Sequence, residues 1–97
     1  MSTEPSLRRE DRGTKGRYVL TQNGVEAEIT FSVTTPTLII ADHTGVPDAF
    51  RGTGAGVALV EYMVNDARAR GIRIVPLCPF VNAQRRKHPE WADVFAT

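Results

Sequence analysis

The sequence predicts one α/β domain built on a mixed sheet, with its elements in the order β-β-β-α-β-α. Three observations carry the prediction. Val25, Ala27, Ile29, Phe31 and Val33 alternate with Glu26, Glu28, Thr30, Ser32 and Thr34, the period of a strand with one packed and one wet face. Directly after Gly52, Gly54 and Gly56, the residues Val57, Val60, Val64 and Ala67 recur at helical spacing, with Leu59 and Met63 broadening the stripe. A further apolar run, Ile72 to Cys78, follows that helix. A strand–helix–strand connection of this length implies a right-handed crossover and a parallel pair.

Taken in order, residues 1–15 mix charges with Pro, Gly and Ser and lack apolar periodicity, so they read as a flexible N-terminal tail ahead of a domain spanning 16–97. Arg17 to Gln22 forms the first strand. Asn23-Gly24 is a strong hairpin signal, because both residues accept the positive φ of a tight turn. Leu38 to Ala41 is continuously apolar and suits a central strand covered on both faces. Arg68, Arg70 and Gly71 close the helix with positive charge and a left-handed cap. One or two short helical segments around Pro89 end the chain, with Trp91 read as core.

A chain of 97 residues with 41% apolar and 24% charged residues has the composition of an ordinary globular domain. Its net charge of +1 argues against a general nucleic-acid-binding role, leaving Arg85–His88 as a local basic cluster. The single cysteine, Cys78, forms no internal disulfide, and neither a leader-like nor a membrane-spanning stretch occurs. A reducing cytoplasm is the expected location. No metal-ligand spacing is present, so no metal is expected.

Strand, glycine turn and helix together present unpaired backbone N–H groups and a positive dipole end, the arrangement that receives an anion. The turn is neither of the common nucleotide loops: Gly56-Val57 stands where a Walker loop needs Gly-Lys-Ser/Thr, and Val57 stands where a dinucleotide fingerprint needs its third glycine. Arg51, Gly54 and Gly56 do fit Arg/Gln-x-x-Gly-x-Gly/Ala, the pyrophosphate loop of the GCN5-related N-acetyltransferases. From Val25 to Phe95, including the Pro-x-Cys-x-Phe segment at Pro76–Phe80, the chain resembles the short single-domain branch of that family. The resemblance implies a truncated acyl-CoA N-acyltransferase fold and acetyl-CoA (or coenzyme A) as ligand. The diphosphate would lie on Arg51, Gly52, Thr53, Gly54, Ala55 and Gly56.

Proline cannot donate to a sheet ladder. Pro47 ends the third predicted strand and Pro76 interrupts the fourth, so these parallel neighbours are expected to splay. Thr44–Val46 on one side and Leu77–Phe80 on the other would then offer unpaired amides and carbonyls to a pantetheine arm. Open α/β sheets also bind ligands at the carboxyl ends of their strands.

An amine acceptor must lose its proton before it attacks, since a free lysine titrates near pH 10.4, and the thiolate leaving group needs a donor. Cys78 at the mouth of the cleft is a candidate nucleophile or acid, against the alternative of a small buried apolar residue. His43 is a candidate base, against a histidine satisfied by its surroundings. Asp42 and His43, as strand neighbours, are expected on opposite faces, with Thr44 on the Asp42 face. From the family resemblance, Asn82 is placed near the pantetheine. Arg85 and Arg86 suit the 3′-phosphate of coenzyme A, against a solvated helix end.

The chain has no room for the helical pair that walls the acceptor site in larger relatives, and it lacks their Tyr-x-x-x-Gly-Phe ending. A shallow acceptor site is therefore expected. The reading is transfer of acetyl to an unidentified amine, a small molecule or a protein lysine or N-terminus, by direct attack on the thioester. The alternative is a non-catalytic acyl-CoA-binding module, a sensor or docking domain.

Overall fold

A computed structural model describes residues 4–96. Four strands form an antiparallel meander: β1 (Ser6–Arg12), β2 (Lys15–Gln22), β3 (Val25–Thr35) and β4 (Leu38–Gly45). After a 3-10 turn at Asp48–Phe50 comes α1 (Ala55–Arg70), then β5 (Arg73–Val75), α2 (Pro79–Lys87) and a second 3-10 turn at Pro89–Trp91. The sheet order is β1-β2-β3-β4-β5, with β5 parallel to β4 as the crossover argument requires.

The architecture has one strand more than expected. Ser6 to Arg12 of the predicted tail form β1, paired with β2 from Ser6↔Thr21 to Arg12↔Lys15; the predicted tail's residues 1–3 lie outside the described residues. Gly13, at φ 71°, lets the chain reverse between the two strands. β1 lacks apolar alternation because ion pairs, not apolar side chains, hold it down. Arg9, 10% exposed, lies under the sheet beside α1, with its guanidinium carbon 4.8 Å from the Phe31 ring centre. Its Nη1 donates to Asp66 Oδ2 and to Tyr18 Oη, both at 3.1 Å, while Tyr18 Oη donates to Asp66 at 2.8 Å. Burial and the Asp66 contact push the Tyr18 hydroxyl above its ordinary range. Burial also raises Asp66, but hydrogen bonds from Arg70, Tyr18 and Arg9 outweigh it and hold the carboxyl low.

The Asn23-Gly24 turn has both φ angles positive, at 53° and 77°. Ala27, Ile29 and Phe31 of β3 pack beneath α1 against Leu59, Val60, Met63, Val64 and Ala67. Trp91 is buried, stacked on His88 at 4.0 Å between ring centres. Gly71 caps α1 in the left-handed region, where Ile72 N–H reaches Ala67 O at 2.8 Å.

Both helices pack in one core with the inner face of the sheet. Leu38 and Ile40 are therefore only half-buried, whereas Ile39 and Ala41 are buried, correcting the expectation of a strand covered on both sides. On the outer face, Val19 is fully buried although it lies outside the helix-side core. Around it, Arg8 pairs with Glu10 and Glu26, and Arg17 with Glu10 and Glu28, each at 2.8 Å. The arginine stems supply the apolar cover there.

Candidate functional site

β4 outlasts its parallel partner. Leu38, Ile39 and Ile40 pair with Arg73, Ile74 and Val75, and there the ladder stops. Pro76 has no N–H to continue it. Leu77 N–H turns back to Val75 O at 3.0 Å, Cys78 N–H makes a final bond to Ala41 O at 2.9 Å, and Pro79 starts α2. From Asp42 to Gly45, β4 has no β5 partner. The expected splay is present, with one difference. Leu77 and Cys78 form its far wall, while Pro79 and Phe80 have already turned into a helix.

Beside this gap lies a cleft of about 430 Å³. Thr44 and Val46 at the end of β4 form one side, and Arg51, Gly52, Gly54, Ala55 and Gly56 the other. Phe50, Val57 and Phe80 complete the walls; the sequence placed Val57 in the packed stripe of the helix and Phe80 at the edge of the splay, and did not mark Phe50. Val57 belongs to the apolar stripe of α1, yet it is 37% exposed because it faces this opening rather than the core. A break in burial at the first turn of an amphipathic helix is the signal that would have marked it.

The three glycines of the turn do different things. Gly52 (φ 76°) and Gly54 (φ 79°) hold left-handed conformations that a Cβ disfavours, and open space surrounds both. Gly56 is different: a Cβ there would stand 2.8 Å from Phe80 Cζ, so its absence lets α2 press against α1. Thr53 ties the turn together from outside the cleft, with its Oγ1 donating to Phe50 O at 2.6 Å and accepting from Ala55 N–H at 3.3 Å. The first helical bond runs from Ala58 N–H to Gly54 O at 2.9 Å. The amides of Gly56 and Val57, one residue and two into the helix, therefore have no carbonyl four residues back within it. No acidic side chain occupies the first turn of α1. Arg51 stands beside this positive end, 83% exposed, and pairs with Asp48, itself open to water, at 3.3 Å. The site suits an anion attached to an apolar chain.

At the inner end of the gap, Thr44 Oγ1 and Cys78 Sγ are 3.1 Å apart. Cys78 is 4% exposed and joins the core cluster. The pair exists because β4 contains a bulge. Thr30 faces His43, but Phe31 faces Ala41, leaving Asp42 as the extra residue. Asp42 and His43 consequently share the outer face, where Asp42 accepts from Ser32 Oγ at 2.6 Å. Thr44 lies opposite Ile29, on the helix side. This corrects two expectations: Asp42 and His43 do not lie on opposite faces, and Thr44 does not share the face of Asp42. His43 is exposed and does not line the helix-side cleft.

Asn82, Arg85 and Arg86 of α2 fall outside the cleft lining as well. Asn82 Oδ1 accepts from Arg85 Nε at 2.8 Å, which holds the two side chains together on α2. Arg86 is exposed on the last turn, where its charge complements the helix dipole. Among the described residues no three His, Cys, Asp or Glu side chains gather as a metal site, and no helix is long and apolar enough to cross a membrane.

Comparisons with known proteins agree with this geometry. The sequence profile of the GCN5-related N-acetyltransferases matches residues 17–94. A search of curated proteins returns no match. Among solved structures, the chain is similar to the NMR solution structure of a GCN5-like protein from Staphylococcus aureus, an N-acetyltransferase by assignment. The identity is 30%, the TM-score 0.70, and the match covers 99% of this chain and 91% of that one. With the profile spanning most of the domain, the chain belongs to the GCN5-related N-acetyltransferase family.

Proposed function

We propose that the protein binds acetyl-CoA in the glycine-turn cleft and transfers the acetyl group to an amine. One observation carries the reading: the N-terminal end of α1 is left without an acidic partner and opens, beside Arg51, into a cleft with apolar walls. The diphosphate would rest on the amides from Gly52 to Val57, with Arg51 adding charge. The pantetheine arm would run between Val46 and Phe80 toward the free edge of β4, placing the thioester near Thr44 and Cys78.

In the transfer, a neutral amine nitrogen attacks the thioester carbonyl, the N–C bond forms and the C–S bond breaks. Coenzyme A leaves as a thiolate and takes a proton from the Thr44–Cys78 pair. The proton lost by the amine balances it through solvent. Unpaired backbone N–H groups along β4 beyond Ala41 would receive the developing oxyanion. Residues outside the cleft lining, namely Thr53, Asn82, Arg85 and Arg86, contribute by shaping the turn and α2. For the 3′-phosphate, Arg51 is the better-placed cation.

Titration calorimetry with coenzyme A, paired with thiol release from acetyl-CoA over a panel of amines, tests the reading. Binding that Gly54→Val weakens at least tenfold, together with turnover, is the expected result. Tight binding without turnover on any amine selects a non-catalytic acyl-CoA-binding module, and absence of binding removes both.

A further inference from the structure

We propose that Ser32 is a positioning residue for the transfer: its bond to Asp42 holds β4 one residue out of step with β3, and that offset brings Thr44 to Cys78. The assignment rests on the acetyl-transfer reading above. Three strands contribute. Lys15 on β2 faces Ser32 on β3, and its Nζ donates to Ser32 Oγ at 3.2 Å. Ser32 Oγ in turn donates to Asp42 Oδ2 on β4 at 2.6 Å. An ammonium can only give protons and a carboxylate can only take them, so the one hydroxyl proton of Ser32 is committed to Asp42. A hydrogen bond to an ionised acceptor is also the shorter and stronger kind.

The bond matters because of where it pulls. Ser32 faces Ile40, two residues before Asp42. Drawing Asp42 back toward that pair leaves Thr30 to face His43, whose carbonyl accepts weakly from Thr30 Oγ1 at 3.4 Å. A ladder continuing in step from Phe31↔Ala41 would instead set Asp42 opposite Thr30, His43 opposite Ile29 and Thr44 opposite Glu28. His43 would then enter the helix side, and Thr44 would leave Cys78 for the outer face. From Asp42 to Gly45, β4 has no β5 partner, so its pairing with β3 decides which side chains face inward. A bulge leaves its extra residue out of the ladder, a loss that the side-chain bond to Ser32 offsets. The in-step arrangement is within reach. The inward position taken by Thr44 is half-buried and opens on the cleft, so an imidazole placed there would keep part of its hydration.

Ser32→Ala removes the bond, and NMR reads the register. In the parent, cross-strand NOEs should join Thr30 to His43 and Ile29 to Thr44. In Ser32→Ala, contacts joining Thr30 to Asp42 and Glu28 to Thr44 should appear, while Ser32→Thr, which keeps the hydroxyl, should retain the parent pattern. Asp42→Ala breaks the same bond from its other end and decides the matter if Ser32→Ala does not fold. With acetyl-CoA and hexylamine, kcat should fall about fivefold in Ser32→Ala and return to within about twofold in Ser32→Thr, with coenzyme A affinity changed by less than about twofold. A general loss of stability would lower the folded fraction without creating new pairings. Parent NOEs at Thr44 in Ser32→Ala, or a shifted register with kcat unchanged, overturn the proposal. Should the parent not turn over hexylamine, the NOE between Thr44 and Cys78 decides: its loss in Ser32→Ala upholds the positioning role and its survival overturns it. Failure of the parent to bind coenzyme A, seen in the calorimetry before any variant is compared, sinks the acetyl-transfer reading and the positioning role with it.

Discussion

Phe80 occupies the space that a side chain at residue 56 would need, its Cζ lying 2.8 Å from the position of a Cβ there. One wall of the cleft is therefore built by the closeness of α2 to α1. Gly56→Ala should force the ring outward and destabilise the fold by about 1–3 kcal/mol. Urea unfolding measures the loss, and combining the change with Phe80→Leu should recover part of it. An additive double variant would show that the two sites are not in contact.

Arg51 is expected to act on ligand affinity rather than on stability, because among the described residues its ion pair is with Asp48 alone and both side chains are exposed. Arg51→Gln should leave the urea midpoint within about 0.5 kcal/mol of the parent. Coenzyme A affinity should fall roughly three- to tenfold, and the difference should shrink as salt rises. Calorimetry at two ionic strengths checks both statements.

Thr44 and Cys78 test the route of transfer. Under direct attack, Cys78→Ala should lower kcat by no more than about a hundredfold, through loss of a proton donor. A covalent acetyl-cysteine route would instead be abolished, and mass spectrometry of the parent after brief exposure to acetyl-CoA would show the added acetyl group. Thr44→Val separates the hydroxyl from the thiol and should lower kcat with little change in coenzyme A affinity.

The carboxylates that clamp β1 predict an acid limit to stability. Arginine hydrogen bonds hold Glu10 at about 2, with Arg17 the largest cause and Arg8 the next, and Arg8 likewise lowers Glu26. Asp66 is lowered against its own burial. Folded values below the unfolded ones mean that this stabilisation is complete above pH about 4.5 and declines as pH falls toward 2. Asp66→Asn should flatten that decline and cost about 1–3 kcal/mol at neutral pH, because the nearly buried Arg9 loses one of its two carboxylates and keeps only Asp11, at 2.9 Å. Urea midpoints measured from pH 2 to 7 would display the curve, and a midpoint constant across that range contradicts it.

Much of the fold, and the place of the candidate site within it, was legible in the chain. Asn23-Gly24 specified its hairpin, the α1 stripe its buried face, and Pro76 the end of the parallel ladder, because each rests on a local conformational rule that no partner overrides. The glycine turn could be located from Arg51, Gly52 and Gly54 for the same reason: positive φ is a property of the residue itself. Only the tertiary structure decided that β1 exists, since its affinity for the sheet comes from Arg9 meeting an Asp66 that lies far along the chain. It also decided that Gly56 serves Phe80, a contact between two helices. Above all it decided where Thr44 and His43 point. Strand alternation predicts faces only while two strands stay in step, and one unpaired residue at Asp42 reverses every side chain beyond it. That offset belongs to the pairing of β3 with β4, so it becomes defined only when both strands are in place.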